Sequence, residues 1–167
     1  MGSIVIGVDS STQSTKAIAW DRHGKVLAEG RCDIPLSNPS LEKFEQNVED
    51  WWKAFCVSCR ELRNHIEMSE VDGLAISNQR ETLAKLDGEG KAIYPATVWM
   101  DKRSVKEVED LNAAMGEGKI HELTGRPKDP CPCLYRVLWL KNHEREIFDK
   151  VKCFADVQAF LVKRLSG

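Results

Sequence analysis

The beginning of the chain alternates short apolar runs with polar turns, a pattern typical of neighbouring β-strands. The apolar runs cover residues 4–8, 16–20 and 26–32, and the sequence Asp-Arg-His-Gly at 21–24 has the composition of a tight turn. Because the connections are short, the three strands are predicted to form an antiparallel meander.

A helical periodicity follows a polar loop. Asn47 is the predicted N-cap, and the acidic residues Glu49 and Asp50 suit the first helical turn. The predicted apolar stripe consists of Trp51, Phe55, Cys59, Leu62 and Ile66. The apolar run 71–76 then predicts a strand, and the length of the preceding connection predicts that this strand runs parallel to an earlier one.

The second half of the chain alternates in the same way. Residues 81–94 are predicted to form a hairpin around the Asp87-Gly88 turn. Helices are predicted over 101–115, 134–143 and 157–165, and a short strand over 151–154. The buried stripe predicted for the first of these helices contains Val105, Val108, Leu111 and Met115. The resulting order is βββαβαβα with insertions, which predicts an α/β fold in which helices cover one mixed sheet, with no repeat and no second domain.

Composition narrows the classes of function. The 167 residues are 42% hydrophobic and 30% charged, with a formal net charge of -2, as in ordinary globular proteins. This charge gives no reason to expect a nucleic-acid partner. No apolar segment approaches the length of a membrane span, so we expect a cytoplasmic protein with no membrane partner.

The six cysteines include the pairs Cys56/Cys59 and Cys131/Cys133. Cys56 and Cys59 fall within a predicted helix, whereas redox pairs favour a helix N-terminus, and the spacing between the two pairs fits no common zinc motif. Buried, reduced thiols are therefore expected. A metal or redox module is the alternative.

Six consecutive polar residues, 10–15, separate the first two predicted strands. Backbone amides and hydroxyls in such a turn, with Lys16 beside them, can surround a phosphate. Asp9, at the end of the first strand, would then anchor Mg²⁺ directly or through water. A plain polar hairpin explains the same residues equally well.

Several blocks carry a resemblance to a known family. The sequence GVDSSTQSTKA is similar to the first phosphate motif of the sugar kinase, Hsp70 and actin superfamily, whose core is ribonuclease H-like. The blocks FEQNVEDWW, GLAISNQRETLAKLDGEGKAIYPATVWMDKRS, TGRPKDPCPCLYRVLWLKNH and FADVQAFLVKRLSG resemble the N-terminal domain of the FGGY carbohydrate kinases, in the order found in that family. Neither a Walker-type P-loop nor a GxGxxG motif is present.

The resemblance implies roles for particular residues. Asp9 would be the metal-associated, catalytic aspartate, with ATP and Mg²⁺ as cofactors. The implied nucleotide-phosphate positions are Ser11, where the family often has glycine, Thr12, Gln13 and Lys16. Arg80 and Glu81 match the pair with which glycerol kinases hydrogen-bond substrate hydroxyls. Trp99 falls where the family places an aromatic residue beside the carbon face of the substrate; a core tryptophan is the alternative.

The blocks differ in the substrate that they favour. The opening loop and VWMDKRS are closer to xylulose kinases, in which Asp101 and Arg103 match a W-N-D-x-R-S pattern, here with Met100 in place of Asn. The resemblance implies that Asp101 is a substrate-binding residue. NQRET is closer to glycerol kinases, although Cys131 stands where those enzymes usually have tyrosine. A ketopentose such as xylulose is favoured, then glycerol or another polyol. A non-catalytic sugar- or nucleotide-binding module is the alternative of another class.

The resemblance also implies what lies beyond this sequence. Residues 1–167 would form the core of the N-terminal, substrate-binding domain, with the C-terminal ATP-binding domain absent and the catalytic base expected after Gly167. We therefore expect the chain alone to show no kinase turnover. The sequence leaves open whether the full-length enzyme is a homodimer.

Overall fold

The computed structural model describes residues 3–167. In chain order the elements of the described residues are β1 (Ile4–Ser10), β2 (Ser14–Asp21), β3 (Val26–Asp33), β4 (Ser37–Ser40), β5 (Lys43–Gln46), α1 (Val48–Leu62), a 3-10 turn (Met68–Glu70), β6 (Val71–Asn78), β7 (Leu83–Leu86), β8 (Ala92–Thr97), α2 (Val105–Met115), α3 (Lys119–Thr124), α4 (Cys133–His143), α5 (Arg145–Lys150), β9 (Cys153–Ala155) and α6 (Val157–Ser166).

These elements divide into two compact units. The first unit contains residues 3–36, 47–79 and 157–167, and the second contains 37–46 and 80–156. The chain thus enters the second unit briefly at β4 and β5 and returns to it after β6. The sequence indicated one domain, whereas the chain crosses between the two units four times, after residues 36, 46, 79 and 156.

The first unit contains the mixed sheet that the sequence predicts. Its strand order is β3-β2-β1-β6; β1 and β2 pair antiparallel, as do β2 and β3, and β6 runs parallel to β1. The meander and the parallel crossover are both confirmed. Alternate side chains of β1 and β2 point to one face, where Ile6, Val8, Ala17 and Ala19 are buried.

Helix α1 packs closely on this sheet. Asn47 is its N-cap, as predicted, and the Asn47 side chain accepts a hydrogen bond from the backbone N–H of Glu49. Trp51, Phe55 and Leu62 are buried, as predicted. Cys59 is only half-buried, and Ile66 lies beyond the end of the helix. The buried stripe instead includes Val48, Ala54 and Ser58.

The second unit contains an additional sheet that the sequence did not predict. Its strand order is β4-β5-β8-β7-β9, and the pairings are antiparallel throughout. The β7–β8 hairpin is confirmed: the Asp87 side chain accepts hydrogen bonds from the backbone N–H groups of Glu89 and Lys91. This hairpin therefore builds a sheet of its own.

Helix α2 begins later than predicted, and the face that it buries is also different. It begins at Val105, four residues later than expected, because Asp101 and Arg103 are occupied in a buried ion pair. Val105 and Met115 are exposed, whereas Val108, Glu107 and Asn112 are buried. Glu107 can face the interior because it hydrogen-bonds His143 Nε2 at 3.0 Å and accepts a bond from the amide of Asn142.

The last predicted strand is displaced toward the C-terminus. It covers Cys153–Ala155, because the residues before it form α5, whose last turn is closed by the backbone N–H of Val151. The predicted helices over 134–143 and 157–165 agree with α4 and α6 within a residue. Helices α3 and α5, of six residues each, are too short to give a clear period.

The cysteines are reduced, as expected, but they are not buried. All six thiols are free; five are partly exposed, and Cys153 is exposed. Partial burial raises the pKa of Cys59 to about 11, with a further contribution from Cys56, and burial also raises the pKa of Cys133 to about 11. Both thiols are protonated at neutral pH, which disfavours thiolate chemistry.

Residues 3–167 contain neither a metal-binding cluster nor a helix suited to a membrane. Those residues contain no cluster of three or more His, Cys, Asp or Glu side chains arranged to hold a metal ion. Among their helices, none has the length and apolar character needed to cross a bilayer.

Candidate functional site

The residues singled out from the sequence fall into two groups. Asp9, Ser11, Thr12, Gln13 and Lys16 lie in the first unit, at the β1–β2 turn. Arg80, Glu81, Trp99 and Asp101 lie in the second unit.

Hydroxyl groups and backbone bonds fix the β1–β2 turn. The backbone N–H of Ser11 donates to the carbonyl oxygen of Ser14 at 2.9 Å, which closes the turn. The buried hydroxyls of Ser10 and Thr15 hydrogen-bond to each other at 3.1 Å. The carbonyl of Gln13 accepts a bond from the N–H of Ile34. Part of the polar run is therefore structural; Ser11 and Thr12 are partly exposed, and Gln13 is exposed.

Asp9, the last residue but one of β1, is exposed. The hydroxyl of Ser11 donates to its Oδ2 atom at 2.6 Å, which orients the carboxylate. Mg²⁺ is commonly held by one or two carboxylates, with water and phosphate oxygens filling the other positions. A single oriented carboxylate beside a hydroxyl-rich turn fits such an ion, although the described residues offer no cage of protein ligands around it.

Lys16 lies directly opposite Asp9 in the β1–β2 register. Its ammonium group pairs with Glu29 of β3 at 2.9 Å, and the two side chains are 43% and 50% exposed. Exposed ion pairs of this kind contribute about 0–1 kcal/mol, so a phosphate could replace Glu29 at little cost. Lys16 is thus available to an anion at the turn.

A shallow groove of about 310 Å³ adjoins Asp9 on the open face of this sheet. Gly7 and Trp20 shape it, because a methyl group at position 7 would lie 2.6 Å from the Trp20 ring. Only glycine lets the indole lie across β1. Sequence reasoning missed this groove, and the alternation of Gly7 with apolar neighbours was the only available signal.

Glu81 is the most constrained residue of the second group. Its backbone φ is +56°, the one non-glycine residue with positive φ among residues 3–167. Its Oε2 atom accepts the backbone N–H of Cys133 at 2.9 Å, and Oε1 pairs with Arg126 at 2.8 Å. Its backbone carbonyl accepts a bond from Arg136. Strained backbone held by several partners often marks a functional position.

The electrostatics of Glu81 favour the carboxylate. Burial by itself would raise its pKa, but hydrogen bonds from Cys133 and the positive charges of Arg126 and Arg136 outweigh burial and lower it. Cys133 is the first residue of α4, so its N–H is one that the helix cannot satisfy itself. Glu81 is therefore a carboxylate acceptor at neutral pH.

Arg80 and Trp99 are open to solvent. The Arg80 side chain is exposed and makes no hydrogen bond or ion pair with any residue in the range 3–167. The Trp99 side chain is 43% exposed, while its backbone N–H donates to Thr82 Oγ1 and its carbonyl accepts from Arg136. A fixed backbone with a half-exposed indole suits packing against a ligand and disfavours the core alternative.

Asp101, in contrast, lies fully inside the protein. Its carboxylate accepts bonds from the Phe44 N–H at 2.8 Å and from Arg103 at 2.7–3.1 Å. Arg103 also donates to Glu45, and its guanidinium stacks over Trp139. The sequence suggested that Asp101 contacts the substrate. In the structure its carboxylate instead accepts hydrogen bonds from protein donors. Because Asp101 lies two positions after Trp99, this location favours a role in holding the Trp99 segment in place.

Lys85 was not singled out from the sequence. It is 1% exposed, and its ammonium group donates to the Pro95 carbonyl at 3.0 Å and to Thr97 Oγ1 at 2.9 Å. Burial, then the positive charges of Arg103 and Arg136, lower its pKa well below the usual range. A lysine inside the apolar sequence Leu-Ala-Lys-Leu was the available signal.

Comparison with known proteins decides the family. Residues 4–167 match the N-terminal domain of the FGGY family of carbohydrate kinases. The chain belongs to this family. The sequence resemblance is thus confirmed over nearly the whole length of the FGGY domain described above.

Curated relatives of this FGGY domain differ in substrate. It is 29% identical to a xylulose kinase from Staphylococcus xylosus over 98% of the chain, and 32% identical to a glycerol kinase from Agrobacterium fabrum over 100% of it. The chain spans about a third of the length of these relatives, 34% and 35%. Identity of this order with both classes leaves the substrate open.

Solved structures share the fold of the FGGY domain. A gluconate kinase from Lactobacillus acidophilus superposes with a TM-score of 0.92 at 23% identity, covering 98% of this chain and 33% of that one. A xylulose kinase from the same organism gives 0.91 at 23% identity, covering 97% and 33%. The α/β fold with a mixed sheet, expected for the sugar kinase, Hsp70 and actin superfamily, is confirmed.

Proposed function

We propose that this FGGY domain supplies the sugar-binding part of an ATP-dependent kinase that phosphorylates a hydroxyl group of a small sugar or polyol. The observation that carries the proposal is Glu81: a strained, ion-paired carboxylate in a unit that also contains the half-exposed Trp99. A carboxylate accepts hydroxyl protons and so fixes their direction, while an indole covers the carbon face of a sugar.

Arg80 would complete the recognition of hydroxyl groups. Its exposed guanidinium has up to five donors, and no residue in the described range 3–167 occupies them through the side chain. With a hydrogen-bond donor next to an acceptor, the pair can bind both the oxygen and the proton of sugar hydroxyl groups. Asp101, buried among protein donors, would hold the Trp99 segment in place.

The nucleotide would be bound in part by the first unit. Ser11, Thr12, Gln13 and Lys16 would approach its phosphates, and Asp9 would hold Mg²⁺. A bound magnesium ion would neutralise phosphate charge during transfer. The remaining contribution of these residues would be to orient the phosphates and exclude water.

The preferred substrate is a ketopentose such as xylulose, with glycerol or another polyol next. The opening loop and the VWMDKRS block support the ketopentose, whereas the Arg80-Glu81 pair supports the polyol. Cys131, where glycerol kinases usually have tyrosine, weighs against glycerol. A panel of D-xylulose, glycerol and tetritols with the complete natural polypeptide would rank these substrates directly.

The test combines turnover with one substitution. Arg80→Ala in the complete natural polypeptide should raise the KM for the sugar at least tenfold, because a charged hydrogen bond contributes about 1.5–3 kcal/mol. The KM for ATP should change little, since the nucleotide is assigned to other residues. Equal changes in both constants, or no sugar-dependent ADP formation by the unmodified protein, would contradict the proposal.

A further inference from the structure

A second arginine, Arg126, pairs with Glu81 although it lies far from Glu81 in sequence. The Nη2 atom of Arg126 lies 2.8 Å from Glu81 Oε1, whereas no ion pair joins Arg80 to Glu81 in the part of the chain that the structure describes. The Glu81 side chain is 16% exposed and that of Arg126 is 46% exposed, so this pair is partly desolvated on the glutamate side. A charge-assisted hydrogen bond of this length is stronger than a neutral one.

The backbone of Arg126 is anchored at both of its polar groups. Its N–H donates to Thr124 Oγ1 at 3.1 Å, and its carbonyl hydrogen-bonds His121 Nδ1 at 3.0 Å. Gly125, with φ +69°, turns the chain out of α3 immediately before it. The guanidinium therefore reaches Glu81 from a fixed starting point.

Glu81 keeps acceptor capacity beside its protein donors. Its two main bonds come from the Cys133 N–H to Oε2 and from the Arg126 guanidinium to Oε1, and the Cys133 thiol is a further partner; a carboxylate has about four lone-pair sites. The remaining sites have their directions set by these two bonds. A substrate hydroxyl would meet an acceptor that is already ionised and already oriented.

We propose that Arg126 is a positioning residue for sugar recognition: its guanidinium holds the Glu81 carboxylate in the direction and charge in which it accepts protons from substrate hydroxyls. This inference rests on the proposed function, because it assumes that Glu81 contacts the sugar. It assigns to the loop that follows α3 a part in substrate selection.

The charged groups around Glu81 define a pH test. Arg126 and Arg136 face it, Arg80 precedes it, Asp129 and the thiols of Cys131 and Cys133 lie close by, and His121 contacts the Arg126 backbone. Arg126 and Arg136 keep their charge at any working pH. The pKa of Glu81 lies below its usual value, and loss of the Arg126 charge should raise it, so a series from about pH 4 to 5.5 follows the change in this carboxylate.

The experiment measures binding of D-xylulose, glycerol and D-gluconate to the complete natural polypeptide, through tryptophan fluorescence or calorimetry. Arg126→Leu should weaken binding of the best ligand at least tenfold at pH 7. In this variant the loss of binding at low pH (the acid limb of the pH profile) should also shift to higher pH, because Glu81 loses a neighbouring positive charge. Arg126→Lys should restore part of the affinity and the original acid limb.

Two further variants separate the possible failures. Lys128→Met removes a cation from the same loop that pairs with Glu109 and Glu117, and it should bind like the unmodified protein. Glu81→Gln should lose binding. If Glu81→Gln loses binding while Arg126→Leu keeps the unmodified affinity and pH profile, the inference about Arg126 is overturned and the proposed function stands.

Other outcomes are equally decisive. Equal losses of affinity in Arg126→Leu and Lys128→Met would show that any positive charge removed from this loop weakens binding, which overturns the inference. Unchanged binding in Glu81→Gln, or no binding of any of the three ligands by the unmodified protein, would overturn the proposed function itself.

Discussion

Two carboxylates that both looked like site residues have opposite environments. Glu81 keeps part of its surface exposed and has acceptor positions left over, whereas Asp101 is fully buried and surrounded by the donors of Phe44 and Arg103. The sequence predicts that both positions matter. The sequence alone could not show which carboxylate is free to contact a ligand and which only supports the protein. The guanidinium of Arg126, for example, reaches Glu81 from a loop 45 residues further along the chain.

Lys85 provides a test of stability at the residue scale. Its pKa is lowered in the folded state, so protonation favours the unfolded chain. As pH falls below about 10.4, the usual lysine pKa, the folded state loses stability by up to about 1.4 kcal/mol per unit until the folded pKa is reached. Lys85→Met should therefore remove a rise in the free energy of unfolding between pH 7 and 9.

The measurement is denaturant unfolding of the unmodified protein and the variant across that pH range. The ionisation of Cys59 and Cys133 affects both proteins alike and cancels in the difference. Lys91→Met, an exposed lysine near the same hairpin, is the matched control and should leave the slope unchanged. Parallel pH profiles for the unmodified protein and Lys85→Met would show that Lys85 stays charged when folded.

At the scale of elements, the long periodic segments were predictable and the short ones were not. The first three strands, helix α1 with its Asn47 cap and the β7–β8 hairpin follow from local patterns. Strands β4 and β5, of four residues each, carry no alternation that a sequence pattern could detect, and their pairing with β8 is a long-range property. Local sequence could not supply that pairing.

The contact between α1 and β3 tests packing at this scale. A methyl group on Gly30 would lie 2.1 Å from the backbone carbonyl oxygen of Ser58, so Gly30→Ala must push α1 away from the sheet. We expect a loss of about 1–3 kcal/mol in the free energy of unfolding. Gly73→Ala, where the methyl group meets nothing within 4 Å, is the matched strand control. Equal stability of the two variants would contradict this packing.

At the scale of the whole molecule, the chain spans about a third of its curated relatives, 34% of the xylulose kinase for example. The assigned sugar and phosphate residues do not include a general base for the attacking hydroxyl. Phosphoryl transfer needs the nucleophile in line and the phosphate charge neutralised together. We therefore expect the 167-residue chain alone to form no ADP in a sugar-dependent manner. Steady ADP formation by the chain, free of contaminating kinase, would contradict this expectation.

The central claim is that Glu81 and Trp99 bind the sugar. The most direct measurement is a crystal structure of the complete natural polypeptide with D-xylulose. We expect sugar hydroxyls within hydrogen-bonding distance of the Glu81 carboxylate and a carbon face of the sugar against the Trp99 indole. A sugar bound elsewhere, with Glu81 still held only by Arg126 and Cys133, would contradict it.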